Sequence, residues 1–335
     1  MTNLKLTHLR INCTAVSPIK LGSHYAGNNL RNALANVMRR ATCPQNYQKG
    51  QPPPEHVATC PACWLLAANS DPGSIVRAYT VLPPLPPRHM VQPGEAFAFG
   101  LTLFGDGFQF LPYFVLSLNE VGQREGLGPG RREGEGRFRV TGITAIDPLR
   151  GETEAILDAG SNLVQVPTCH IDWAAVQGSI RYHQSELPPH QPLRLRFLTP
   201  LRLEEKQQVY KTPDFGVFFR RLLYRIDDLG RHFAGQERRD RDEVAALYAL
   251  ADSVRLIEAD TVWHELWVRS GRTGRKVPVA GLTGTAVYTV ADWSPLLPWL
   301  ILGQATQVGK SAVKGNGLYE LAGSWPAYWR WLQDG

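Results

Sequence analysis

The sequence predicts two α+β domains in tandem, each a ferredoxin-like (RRM-like) βαββαβ unit. Three observations point to this fold class. Strand-like and helix-like stretches follow one another in the order β-α-β-β-α-β twice along the chain. A proline-rich segment at residues 187–192 separates the two runs, as a linker would. The chain of 335 residues is long enough for two hydrophobic cores. We expect an N-terminal domain at residues 1–186 and a C-terminal domain at residues 192–325.

The N-terminal elements follow from hydrophobic periodicity. Residues 4–16 alternate apolar and polar side chains, which predicts a half-buried strand. Apolar side chains then recur at helical spacing at Leu30, Ala33, Leu34, Val37 and Met38. The remaining predicted elements are strands near residues 74–82 and 95–104, a helix near 108–121, a strand near 136–146 and further strands near 151–167.

An insertion at about residues 41–72, expected to be irregular, interrupts this unit and carries candidate ligands for a structural zinc ion. Its cysteines are spaced as Cys43-x16-Cys60-x2-Cys63, and His56 lies four residues before Cys60. A C-x2-C pair is typical of half of a tetrahedral zinc site. The insertion has too few apolar residues for a core of its own, so we expect a metal to stabilise it. The alternative is an irregular loop with reduced cysteines and no metal.

The C-terminal elements repeat the same order. Residues 193–209 alternate as strands do, and Thr212-Pro213 predicts a helix with threonine as the N-cap and proline at the first helical position. That helix has an apolar stripe from Phe215 to Leu229. Its opposite face is expected to carry Arg220, Arg221, Tyr224, Arg225 and Arg231. The remaining predicted elements are a helix near 240–257, strands near 261–270 and 278–290, a short helix begun by Ser294-Pro295, and a strand at 316–321.

A glycine-rich loop precedes the last strand and suggests contact with phosphate. Its glycines and lysines are Gly303, Gly309, Lys310, Lys314, Gly315 and Gly317. Glycine lets the backbone approach a phosphate closely, and lysine adds positive charge. A nucleotide-binding P-loop has the pattern G-x-x-x-x-G-K-[ST] after a strand. Here five residues separate Gly303 from Gly309 and a helix precedes the loop, so we expect no nucleotide cofactor.

Charge and composition favour a polyanionic partner. The net charge is +6, and cationic side chains that neutralise phosphates release counterions. No apolar stretch is long enough to span a membrane, and the first residues lack the apolar region of a secretion signal. Five cysteines do not indicate a disulfide scaffold in a chain of 335 residues. We therefore expect a cytoplasmic protein without membrane contact.

Several short motifs occur in a fixed order between about residues 20 and 321. The first is residues 22–34, which lead into the first helix with the pattern L-R-x-A-L, and the second is Gly126-Leu127-Gly128, which precedes a basic run. The others are residues 197–203, residues 218–223, Arg269-Ser270, residues 281–284 and the terminal glycine-rich loop. In this order they resemble the RAMP proteins of CRISPR systems. The resemblance is greatest to their repeat-RNA endoribonucleases, the sixth Cas family.

This resemblance implies cleavage of CRISPR repeat RNA without a metal or another catalytic cofactor. The ribose 2′-hydroxyl attacks the adjacent phosphorus and leaves a 2′,3′-cyclic phosphate and a 5′-hydroxyl. The reaction needs a base, an acid and a cation for the phosphorane. Family members usually take their catalytic histidine from the region of the first helix. In this chain, His24 is the only histidine in that region. We expect His24 to be the general acid or base, with Tyr25 and Lys20 assisting. The alternative is that His24 is an exposed loop residue that contacts only RNA or solvent.

Three basic clusters are candidates for holding the RNA. The first is Lys310, Lys314, Gly315 and Gly317 in the terminal loop. The second is Arg131, Arg132, Arg137 and Arg139 after the mid-chain glycines, which could equally form only a turn. The third is Arg269, Arg272, Arg275 and Lys276 at a hairpin tip, and Arg31 of the first helix is a further candidate. A basic hairpin tip suits a stem-loop because proteins recognise A-form RNA mainly by shape and backbone.

The expected partners are a stem-loop of CRISPR repeat RNA in the precursor transcript and other CRISPR effector or adaptation proteins. Two alternatives remain open. The chain could be a catalytically inactive RAMP-fold RNA-binding subunit of an effector complex, or a zinc-stabilised module that binds other RNA. Replacing His24 by alanine separates the enzyme from the inactive subunit, because a protein that only binds RNA keeps its activity.

Overall fold

The computed structural model describes residues 2–45, 52–67, 76–161, 163–183, 191–269, 274–323 and 326–333. These form two compact units. We call the unit of residues 5–147, 151–170 and 331–335 the N-terminal domain, and the unit of residues 1–4, 148–150 and 171–330 the C-terminal domain.

The division between the units precedes the linker predicted at residues 187–192. It falls after residue 170, because the helix α5 (Trp173–His183) packs inside the C-terminal domain. The ring of Trp173 lies 5.1 Å from that of Trp299 in the same domain. No periodic pattern had predicted this helix. Residues 184–190 lie outside the described part of the chain.

The N-terminal domain is built on a five-stranded antiparallel sheet. The strands of this domain are β1 (Leu6–Ala15), β2 (Ile19–Lys20), β3 (Tyr79–Leu82), β4 (Met90–Val91), β5 (Ala96–Phe104), β6 (Phe138–Asp147) and β7 (Glu152–Leu157). The sheet order is β3-β5-β1-β6-β7, while β2 and β4 form a separate antiparallel pair. Without β7 at its edge, this is the order of a ferredoxin-like βαββαβ unit, as predicted.

Two longer helices complete that unit, α1 (Ala26–Thr42) and α4 (Leu111–Glu120). The buried side chains of α1 include all five apolar residues that predicted it, from Leu30 to Met38. Arg39 and Arg40 lie in its last turn, where cations interact favourably with the helix dipole. The apolar periodicity therefore identified both the helix and its buried face.

The cysteine-bearing insertion is more regular than expected. It contains two short helices, α2 (Pro54–Thr59) and α3 (Pro61–Ala67), and the prediction of an irregular segment was wrong in this part. Pro54 occupies the first turn of α2, where a missing N–H costs no hydrogen bond. Residues 46–51 and 68–75 of the insertion lie outside the described residues.

The C-terminal domain repeats the same architecture on a four-stranded antiparallel sheet. Its strands are β8 (Leu193–Leu201), β9 (Leu203–Glu205), β10 (Gln208–Tyr210), β11 (Arg255–His264), β12 (Trp267–Arg269), β13 (Lys276–Pro278), β14 (Gly281–Thr289) and β15 (Tyr319–Ala322). The order β11-β14-β8-β15 is again ferredoxin-like. The pairs β9–β10 and β12–β13 form separate two-stranded sheets. The helices that follow α5 are α6 (Phe215–Phe233), α7 (Arg241–Ser253), α8 (Leu297–Thr306) and α9 (Arg330–Gln333).

Several boundaries in this domain differ from the predictions. The N-cap of α6 is Asp214, whose carboxylate accepts a hydrogen bond from the Val217 N–H at 2.8 Å, so Thr212 is not the cap and proline is not the first helical residue. The strands predicted at about residues 193–209 are β8 and the hairpin β9–β10, which turns at Lys206 and Gln207, both with positive φ. The strand β11 begins at Arg255, earlier than expected.

The expected polar face of α6 is only partly exposed. Arg220 pairs with Glu205 and Asp252, and Arg221 pairs with Glu205. Arg225 is buried, which contradicts its predicted position. Its Nε donates to the Thr306 carbonyl at 2.6 Å, and burial lowers the pKa of its guanidinium to about 10.

In the described part of the chain, no helix combines the length and the apolar character that crossing a membrane requires.

Candidate nucleic-acid interface

His24 lies in a short 3-10 turn, residues 23–25, immediately before α1. Gly22 and Ser23 both have positive φ, and this backbone reversal directs the chain into the helix. The Gly22 N–H donates to the carbonyl of His89 at 3.0 Å, and the Ser23 N–H donates to the carbonyl of Arg88 at 2.9 Å. The turn is therefore held by backbone hydrogen bonds that extend the β2–β4 pairing. His24 and Tyr25 are both half-buried.

Lys20 lies at the end of β2, four residues before His24. Its Nζ forms an ion pair with Glu135 at 2.8 Å, and the hydrogen bond and charge of that carboxylate raise the pKa of Lys20. The amine thus remains protonated at neutral pH. It can supply positive charge but cannot act as a proton acceptor.

A loop at residues 126–136 packs against the same β2 segment. The Gly136 N–H donates to the Pro18 carbonyl at 2.8 Å. Gly128 has a φ of 83°, and a Cβ there would overlap the carbonyl oxygen of Lys20. Gly136 has a φ of 82°, and a Cβ there would overlap the Leu127 backbone. The mid-chain glycines are therefore required for close packing of backbone on backbone.

This packing presents a group of arginines on the N-terminal domain. Arg131 and Arg132 lie in a 3-10 turn within the loop and are exposed, and Arg139 on β6 is exposed as well. Arg137 is half-buried, and one of its guanidinium nitrogens is buried without a hydrogen-bond partner. None of the four forms an ion pair within the described residues. We call these residues the loop arginines; they remain predicted RNA ligands, as does Arg31, which bonds to Asn32 on α1.

The glycine-rich loop of the C-terminal domain is more enclosed. Gly315 and Gly317 are buried, and their N–H groups donate to the carbonyls of Ala312 and Pro200 at 2.9 and 3.2 Å. The Lys310 N–H likewise donates to Arg202 at 3.1 Å. These N–H groups are thus engaged by the protein. The two lysine side chains of the loop differ in exposure: Lys310 is exposed and lies 4.0 Å from Glu204, and Lys314 is half-buried.

The basic hairpin is present as the antiparallel pair β12–β13, in which Arg269 is opposite Lys276. Arg275 and Lys276 are exposed. Arg272 lies outside the described residues, and so does the side chain of Arg269.

The four candidate metal ligands meet in the insertion. The ligand atoms of Cys43, His56, Cys60 and Cys63 all lie within 4.8 Å of one another. The Sγ atoms of Cys43 and Cys63 are 3.7 Å apart, and the Sγ of Cys43 is 3.5 Å from the Nε2 of His56. The three cysteines are buried, and burial with hydrogen bonding to Cys43 raises the pKa of Cys63 to about 12.

Sequence reasoning missed the groups that support these residues. Glu135, which pairs with Lys20, and the carbonyls of Arg88 and His89, which hold the His24 turn, come from segments distant in sequence. Arg225, which donates a hydrogen bond to the carbonyl of Thr306, was predicted on the exposed face of α6. No local pattern marks such residues, because each acts only through a tertiary contact.

Comparisons with known proteins agree with this architecture. Residues 4–168 match a family model described as an N-terminal domain, and residues 195–319 match the model of the CRISPR-associated endoribonuclease Cas6. Among solved structures, Thermus thermophilus Cas6 (TTHB231) has 16% sequence identity and a TM-score of 0.54, with 95% of this chain and 99% of that chain covered. A search of curated proteins found no match.

Two further solved structures share the fold. The product complex of Cas6 (TTHB231) has 17% identity and a TM-score of 0.56, over 95% of this chain and 100% of that chain. A partial Cas6-RT-Cas1–Cas2 complex has 13% identity and a TM-score of 0.59, over 96% of this chain but 46% of that chain. At these identities the likeness concerns the fold.

Two ferredoxin-like domains, with a glycine-rich loop before the last strand, make up the fold of this chain. Residues 195–319 of the C-terminal domain match the family model of the CRISPR-associated endoribonuclease Cas6, so this part of the chain is similar to that family. The resemblance identified in the sequence is confirmed.

Proposed function

We propose that this protein is an endoribonuclease that cleaves CRISPR repeat RNA within precursor transcripts to release guide RNAs. The observation that carries the proposal is the match of residues 195–319 to the Cas6 endoribonuclease family. Related Cas6 structures include a product complex, which makes a repeat stem-loop the natural RNA to test.

In the proposed mechanism, the 2′-hydroxyl attacks the adjacent phosphorus and His24 transfers a proton. An imidazole suits this role because its ordinary pKa lies near neutral pH. What supports this assignment is that the backbone of the turn is held by two hydrogen bonds, with His24 four residues after Lys20 at the end of β2. Tyr25 and Lys20 assist: the protonated Lys20 supplies positive charge for the phosphorane, a role consistent with its raised pKa.

Cleavage in a chelator tests this mechanism. A labelled repeat stem-loop is incubated with the protein in EDTA, and we expect cutting to persist and to leave a 2′,3′-cyclic phosphate. His24→Ala should reduce the rate by about 10²–10⁴-fold, the usual contribution of proton transfer, with RNA affinity retained.

His89→Ala is the matched control, because His89 is exposed and supports the turn only through its backbone carbonyl. Wild-type activity in His24→Ala would refute the assigned role of His24. Binding of the repeat by the wild-type protein without cleavage would favour the alternative, a catalytically inactive RNA-binding subunit.

We further propose that the insertion binds one structural zinc ion through Cys43, His56, Cys60 and Cys63. In tetrahedral coordination the Zn–S bonds are about 2.3 Å and the Zn–N bond is about 2.1 Å. Two ligand sulfur atoms are then about 3.8 Å apart, and a sulfur and a nitrogen are about 3.6 Å apart. The corresponding distances here are 3.7 and 3.5 Å. Bound zinc would link α1, α2 and α3 and supply stability rather than reaction chemistry.

Metal analysis tests the zinc proposal. We expect one zinc per chain, lost in Cys60→Ser, with a lower temperature of thermal unfolding. Cys169→Ser is the control, because Cys169 is also buried but lies outside the cluster. Purified protein without zinc, and with a stability that added zinc does not change, would contradict the proposal.

Other CRISPR proteins are proposed as additional partners. One structure with the same fold is a Cas6-RT-Cas1–Cas2 complex, in which a Cas6-like region is combined with adaptation proteins. Co-purification of this protein with Cas1 and Cas2 from the same organism tests the association, and a lack of binding at micromolar concentration would contradict it.

A further inference from the structure

Trp267 on β12 is unusually exposed. Its relative exposure is 53%, and among the tryptophans that the structure describes it is the only one in the exposed class. It has no ring contact and no hydrogen bond within the described residues. An exposed indole offers a partner a large apolar surface, and burying such a ring contributes strongly to binding.

The strand register places this ring beside a cation. Trp267 is opposite Pro278, and Arg269 is opposite Lys276. Residues two apart on a strand share a face, and so do cross-strand pairs. Trp267 and Lys276 therefore lie diagonally on one face of the β12–β13 ribbon, and Lys276 is exposed. Diagonal neighbours are about 7–8 Å apart, within reach of a lysine side chain.

The local charge favours a nucleic acid over an apolar peptide. Lys276 is exposed on the face of the ribbon that carries the aromatic ring. The nearest carboxylate in sequence, Glu265, already accepts from the indole of Trp263 at 2.7 Å and pairs with Lys211 at 3.3 Å. An aromatic face that also carries an exposed lysine suits an unpaired nucleotide, whose base stacks while its phosphate meets the cation.

We propose that Trp267 stacks on an unpaired base of the bound RNA, next to a phosphate held by Lys276. The inference rests on the proposed function, since it names a contact of the same RNA. It assigns the β12–β13 ribbon a role that the basic residues alone did not predict: selection for single-stranded nucleotides next to the stem. A duplex end without unpaired nucleotides offers no free base to this ring.

The test compares equilibrium binding of two RNAs, the repeat stem-loop with its unpaired flanks and a fully paired duplex of the same stem. Trp267→Ala should weaken binding of the flanked RNA by about five- to hundredfold, the contribution of one stacked base. It should leave duplex binding and the salt slope unchanged. Trp267→Phe should restore most of the affinity. Lys276→Ala should instead reduce the salt slope by about one.

A second readout locates the base. Replacing each flanking nucleotide by 2-aminopurine should show stacking-dependent quenching at one position, lost in Trp267→Ala and kept in Tyr224→Ala. Tyr224 is a suitable control, as another aromatic residue of the C-terminal domain with 47% exposure.

Equal affinities for wild type and Trp267→Ala, with no quenching at any position, would overturn the inference and point to a protein partner for this face. Failure of the wild-type protein to bind or cut the repeat would instead refute the proposed function.

Discussion

The two domains share a strand order but differ in how they present their glycine-rich loops. In the N-terminal loop, residues 126–136, Gly128 packs on Lys20 of β2 and Gly136 packs on the Leu127 backbone, and the chain between them carries exposed Arg131 and Arg132. In the C-terminal loop, Gly309 and Gly317 pack on the Arg202 and Val308 carbonyls, and most of the loop between them is at least half-buried.

Glycine therefore has the same physical role in both loops, which is to let two backbone segments approach closely. The difference lies in the cations. The loop arginines form no ion pair within the described residues, whereas Lys310 lies within 4.0 Å of Glu204. A glycine-rich motif thus predicts tight packing reliably, while its charges and their partners decide whether it offers a phosphate site.

The largest expected effect comes from adding a Cβ to either loop. Gly317 has a φ of 73°, and a Cβ there would overlap the Val308 carbonyl oxygen. Backbone strain of about 1–2 kcal/mol and overpacking of about 1–3 kcal/mol predict that Gly317→Ala lowers the free energy of unfolding by about 2–5 kcal/mol. Gly128→Ala should destabilise the N-terminal domain comparably. Both are measured by denaturant unfolding.

Gly134→Ala is the matched control, since Gly134 has a φ of 83° but no atom within 4 Å of the added Cβ. This substitution should lower the free energy of unfolding by the backbone strain alone, about 1–2 kcal/mol. If Gly317→Ala were no more destabilising than this control, the close packing inferred for the terminal loop would be incorrect.

A smaller effect should distinguish the domains by pH. His8 on β1 is fully buried, its Nδ1 lies 2.8 Å from the Thr102 hydroxyl, and burial lowers its pKa to about 3. Below pH 6.5 the unfolded chain binds a proton at this site and the folded chain does not. Stability is therefore complete above about pH 6.5 and is lost as the pH falls toward 3, by on the order of 2 kcal/mol at pH 5.

Comparing the wild-type protein with His8→Asn isolates the contribution of His8 to the pH dependence of the free energy of unfolding. The variant should lose stability less steeply between pH 7 and 5, whatever its stability at pH 7. Identical slopes for the two proteins would show that residue 8 titrates normally in the folded state.

The smallest expected effect separates the loops as RNA ligands. Arg131→Ala with Arg132→Ala should weaken binding of the repeat about tenfold and reduce the salt slope by about two, because two phosphate contacts are lost. Lys310→Ala with Lys314→Ala should have a smaller effect, since Lys310 lies near Glu204 and Lys314 is half-buried. Filter binding across a salt series measures both. The reverse ranking would make the terminal loop the main phosphate site.

Periodic and strongly local features were predictable. The stripe from Leu30 to Met38 identified α1 and its buried face, and Cys60-x2-Cys63 identified half of the ligand cluster. Capping was less predictable: Thr212-Pro213 and Asp214 each offer a helix start, and only the observed hydrogen bond from Val217 decides between them. Burial of Arg225 was unpredictable, because its partner, the Thr306 carbonyl, lies 81 residues away.

The amino-acid sequence alone determined the α+β class, the tandem repeat of βαββαβ order, the family resemblance and the four possible zinc ligands, because these depend on periodicity and spacing within short segments. The tertiary structure decided which cations form ion pairs among the described residues, where one domain ends, and that Gly315 and Gly317 use their N–H groups internally. Those properties depend on contacts between residues far apart in the chain. The energy of such a contact is set by burial and by the partner's charge, which no local pattern records.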